Sequence, residues 1–70
     1  MTDSEIVAYN AGAGTFKRLG IAHADPSAVA DSVLAFPGER ERQAIARLGP
    51  EGFWAWALQG ARDAAAGRAR

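Results

Sequence analysis

Three prolines divide this chain of 70 residues, each beside a residue that starts or stops a helix: Asp25-Pro26, Pro37-Gly38 and Gly49-Pro50. Proline has no amide hydrogen, and its ring clashes with the preceding turn, so none of these sites continues a helix or a central strand. The chain is thereby cut into short stretches, each of which must be read as one element. Alanine supplies 17 of the residues, while Val, Ile and Thr together supply eight, so the stretches favour helix over strand.

The first stretch opens with Thr2-Asp3-Ser4-Glu5, a capping box in which the Thr2 hydroxyl and the Glu5 carboxylate serve each other's backbone amides. Ile6, Tyr9, Ala13, Phe16 and Gly20 then recur in steps of three and four, which predicts one helix face and a helix over residues 3–19. Gly20 and Ile21 read as its left-handed stop, with Ile21 folding back on the last turn. Gly12 and Gly14 weaken this helix by about 1 kcal/mol each relative to alanine. A strand over residues 5–9 is the competing reading, and no second strand is evident to pair with it.

Asp25 caps the next helix and Pro26 occupies its first position, where the missing amide hydrogen costs nothing. Val29, Val33 and Phe36, with Leu34 beside them, predict an apolar face over residues 26–36. A third helix is expected over 39–48, with Glu39 and Glu41 at the positive end of its dipole and Arg47 at the other. Its apolar side chains are Ala44, Ile45 and Leu48, so it reads as a solvated lid. The fourth runs over 50–66, and residues 67–70 are expected to fray. The expected fold is therefore all-α, a single compact domain of about four short helices.

Phe53-Trp54-Ala55-Trp56 is the most informative stretch. At ~100° per residue, Phe53 and Trp56 lie within roughly 60° of each other, while Trp54 points roughly 160° away from Trp56. Phe53 continues into Ala57, Gly60 and Ala64, and Trp54 into Leu58, Ala61 and Ala65, so both sides are apolar. A helix of this kind is either wrapped by its neighbours or turns one side to another chain. In the first reading this helix is central, and the small Gly12 and Ala13 let the first helix approach it closely. In the second, Trp54 stands at an interface over Leu58 and small residues, while Trp56 faces the core. The candidate partner-binding residues are Trp54, Leu58, Arg62 and Trp56.

Catalytic, cofactor and metal sites are not expected. Gly12-Ala13-Gly14-Thr15-Phe16-Lys17-Arg18 lacks the third glycine of a dinucleotide loop and the spacing of a nucleotide loop. His23 is the sole histidine and the chain has no cysteine, so the usual zinc ligand sets cannot form. Glu39 and Glu41 are two apart on a helix and diverge. So short a chain also leaves little room for both a core and a shaped pocket, and no small-molecule substrate is implied.

Eight basic and eight acidic residues cancel, giving no overall attraction to nucleic acid or anionic lipid. No apolar run reaches the ~18 residues of a membrane span. The polar, acidic N-terminus is unlike a secretory signal, which predicts a cytoplasmic chain, complete from Met1 to its arginine tail. Arg42 to Gly49 followed by a further helix has the outline of a helix-turn-helix, and residues 38–70 carry +2 (six Arg against four acids). Yet the second helix would begin Pro50-Glu51-Gly52-Phe53, with no side chain suited to a base edge.

The function expected from these features is stoichiometric protein–protein contact, with another protein or a second copy as partner. A phage or mobile-element accessory protein that inhibits a host defence complex is the instance considered. A helix-turn-helix regulator of nucleic acid is the alternative, and a small virion subunit or assembly chaperone a third.

Overall fold

A computed structural model describes residues 1–19 and 25–67. Three helices follow in order, α1 (Asp3–Leu19), α2 (Pro26–Ala35) and α3 (Glu39–Ala65), and the described residues contain no strand. Residues 5–9 are helical, so the helix expected over 3–19 forms and the competing strand does not. The stop at Gly20-Ile21 and the residue His23 lie outside the described residues.

The helix starts form as the local sequence dictates. The Thr2 amide donates to Glu5 Oε1 at 2.8 Å and the Glu5 amide to Thr2 Oγ1 at 3.2 Å. Asp25 is extended (φ −96°, ψ 125°), and its Oδ1 accepts from the Ser27 amide and from Ser27 Oγ, both at 3.1 Å. These bonds satisfy amides that a helix start would otherwise leave without partners.

The expected count of about four helices becomes three. Gly49-Pro50 does interrupt the helix, but over one residue rather than a loop: Gly49 alone is non-helical, at φ 78° and ψ 160°. The stretches expected as helices 39–48 and 50–66 are the two halves of α3, bent at this glycine. Its last helical residue is Ala65, and the Ala66 and Gly67 amides close the end on Arg62 O and Ala64 O, each at 3.0 Å.

A second departure is at the end of α2. Phe36, expected on the apolar face, has left the helix (φ −129°, ψ 61°) and is 85 % exposed. Pro37 explains this, since the residue before a proline is driven out of the helical region. Val29 and Val33 are buried as the spacing predicts.

α3 packs mainly on α1 and less on α2. Among the described residues the buried apolar side chains are Ala8, Ala13, Phe16, Val29, Ala30, Val33, Ala44, Phe53, Ala57, Ala61 and Ala64, so alanine dominates the core. Phe16, Phe53 and Val29 are the largest fully buried among them. Such small side chains fill a core only if the helix backbones come close, and they do. A Cβ on Gly12 would lie 1.9 Å from the Ala57 carbonyl oxygen, and one on Gly60 would lie 2.0 Å from that of Tyr9. Each helix thus presents a glycine to the other's backbone.

This contact decides which face of α1 is inward. Ser4, Ala8, Gly12, Ala13 and Phe16 are buried, whereas Ile6, expected on the buried stripe, is 40 % exposed. The inward face is turned by roughly 75° from the one that the large side chains suggest. No helix of the described residues is long and apolar enough to cross a membrane.

Candidate functional site

The second half of α3 has a buried side, two shoulders and an outward side. Phe53, Ala57, Gly60, Ala61 and Ala64 are buried, which makes this half the centre of the fold. Glu51, Ala55, Gln59 and Arg62 are exposed on the opposite side. Trp54, Leu58, Trp56 and Asp63 are half-buried between these two sides.

The shoulders differ in chemistry. On one, the Trp54 indole N–H donates to Asp31 Oδ1 of α2 at 2.7 Å, so this tryptophan ties α2 to α3 while part of its ring stays in solvent. On the other, Asp63 accepts from the Tyr9 hydroxyl at 2.6 Å and from Gln59 Nε2 at 2.8 Å, tying α1 to α3. Trp56 shares that shoulder by helical spacing. The sequence places Trp56 in the core, yet it is half-buried, as Trp54 is. The close Gly12–Ala57 and Gly60–Tyr9 contacts fill the space between α1 and α3 with backbone, leaving the indole at the edge.

Ala55 sits between the two tryptophans, and an open groove borders it on each side. The larger, about 460 Å³, is lined by Leu34, Pro50, Glu51, Trp54 and Ala55, and its exposed wall is almost wholly apolar. The smaller is lined by Ala55, Trp56 and Gln59. Of the sequence-predicted residues, Trp54, Leu58 and Arg62 fall on one side of α3, and Trp56 lies across Ala55 from them. Sequence reasoning missed Leu34, Pro50, Ala55 and Asp31. Leu34 is distant from Pro50 and Ala55 in the chain, and only the pairing of α2 with α3 brings it to them.

A further cleft is mostly polar. A groove between α1 and the first half of α3 is lined by Asp3, Ser4, Val7, Arg40, Gln43, Ala44 and Arg47. Nearby, Arg42 Nη2 lies 2.5 Å from Glu39 Oε2 and holds that carboxyl below its usual range. Both side chains are well exposed, and such pairs contribute little to stability.

The bend at Gly49 sets two helices at an angle, as a helix-turn-helix does, but the side that would meet a duplex offers Glu51, Ala55, Gln59 and Arg62, one cation against one carboxylate. Neither the phosphate-loop outline nor the Glu39–Glu41 pair gains support: Gly12 is packed on Ala57 backbone, and Glu39 is engaged by Arg42. Comparison with known proteins finds no match, whether to a family model, a curated protein or a solved structure.

Proposed function

We propose that this chain is a protein-binding module that acts stoichiometrically in the cytoplasm, without catalysis, through the outward side of the second half of α3. The observation that carries the reading is the apolar groove of Leu34, Pro50, Trp54 and Ala55. A small alanine flanked by aromatic walls gives a partner helix a place to approach closely and to seat an apolar side chain. Trp54 is anchored from behind by Asp31, so its ring is positioned before a partner arrives. An inhibitor of a host defence complex, carried by a phage or mobile element, is one instance of such a module; small size and neutral charge are what favour it.

A photo-crosslinking residue placed at Ala55 tests the proposal in cells. Crosslinking to protein from position 55, and none from position 43 in the polar cleft, is the expected result. Equal crosslinking from both positions, or none from 55, overturns the choice of face. Duplex binding is the weaker alternative, and a gel shift at two salt concentrations addresses it, since phosphate contacts lose affinity steeply with salt.

A further inference from the structure

The outward side of α3, together with the half-buried Leu58 at its shoulder, carries a sequence that is complementary to itself when reversed. Glu51, Ala55, Leu58 and Arg62 are spaced i, i+4, i+7 and i+11, which places them in one stripe over about 16 Å of helix. Read in order, the stripe is acid, small, large, base. Run antiparallel against a second copy, it sets Glu51 against Arg62, Ala55 against Leu58, Leu58 against Ala55 and Arg62 against Glu51. Charge and volume both match.

We infer that the occupant of this face is a second copy of the chain, in a two-fold symmetric antiparallel pairing of the second halves of α3. This rests on the reading of the outward side as a protein-binding surface, and it names the partner. A two-fold interface requires one patch to complement itself, and the stripe does so in both charge and size. Leu58 of the second copy would lie over Ala55, beside the groove walled by Leu34, Pro50 and Trp54. Among the described residues neither the Glu51 carboxylate nor the Arg62 guanidinium has a hydrogen bond or ion pair, so both are available across the interface.

The contact is small. Laying these few turns together buries on the order of 500 Å² per chain, at the low end of specific interfaces, so the dimer exchanges readily with monomer. It weakens as salt screens the two symmetry-related ion pairs.

Sedimentation equilibrium from ~20 μM to ~1 mM, at low and high salt, reads the association directly. Glu51→Arg alone, or Arg62→Glu alone, places like charges together twice by symmetry and is expected to weaken dimerisation about tenfold or more. The double reversal of both residues restores opposite charges and is expected to return it to within about threefold of the starting value. Because the double variant carries the same change at position 51, an effect of Glu51→Arg on helix stability cannot mimic that recovery; circular dichroism verifies folding of each variant. A monomer throughout the range overturns the inference, as does a dimer indifferent to the single reversals. A monomeric chain that still crosslinks another protein through position 55 overturns the dimer alone and leaves the protein-binding reading standing.

Discussion

At Gly49 the backbone takes φ 78° and ψ 160°, a conformation that only glycine adopts without strain, although nothing lies within 4 Å of where a Cβ would be. Space and conformation therefore make opposite forecasts for Gly49→Ala. The conformational one governs here: the substitution should cost about 1–3 kcal/mol by straightening or straining the bend. Denaturant titration with an unchanged slope and a lower midpoint is the expected outcome, and an unaltered midpoint would show that the bend does not depend on glycine. Trp54 and Asp31 form the other residue-scale device. Asp31→Ala removes the acceptor for the indole N–H, an exposed bond that contributes about 0.5–1.5 kcal/mol. A small loss of stability together with a changed tryptophan emission is expected. No change in either would mean that α2 does not hold the indole.

Between elements, the decisive contact is α1 on α3, where Gly12 and Gly60 each meet the other helix's backbone. Gly12→Ala gains about 1 kcal/mol of helix propensity, yet it forces apart two backbones that a Cβ at 1.9 Å cannot share. The steric cost exceeds the propensity gain. A net loss of about 2 kcal/mol is expected, roughly 10 °C in the melting midpoint of so short a domain. A higher midpoint would contradict the packing described. The same contact explains what was and was not legible in the sequence. Helix starts at Thr2 and Asp25, the apolar Phe53 side of α3 and the interruption at Gly49-Pro50 follow from neighbours in the chain, and they form as expected. The inward face of α1 does not, because periodicity was read from large side chains while close approach selects small ones. Ile6 thus sits at the edge where Ala8 and Gly12 are buried. Trp56 falls short of the core for the same reason, and Phe36 is exposed because Pro37 ends the helix before it. The groove was illegible beyond Trp54, since it exists only where Leu34 of α2 meets Pro50 and Ala55 of α3.

Across the whole molecule, a radius of gyration of 10.6 Å, against about 11 Å for a compact chain of this length, is reached with a core built mostly of alanine. Backbone proximity replaces side-chain volume. The consequence is a division of labour on α3: its inner side holds the fold together against α1, and its tryptophan-flanked outer side contributes little to that cohesion. Thermal melts of Gly60→Ala and Ala55→Arg, run side by side, test that division most directly. Gly60→Ala places a Cβ 2.0 Å from the Tyr9 carbonyl and should lower the midpoint by roughly 10 °C. Ala55→Arg adds a far larger side chain on the exposed side and should leave stability within about 0.5 kcal/mol. A melt in which Ala55→Arg unfolds the protein while Gly60→Ala is tolerated would contradict the account.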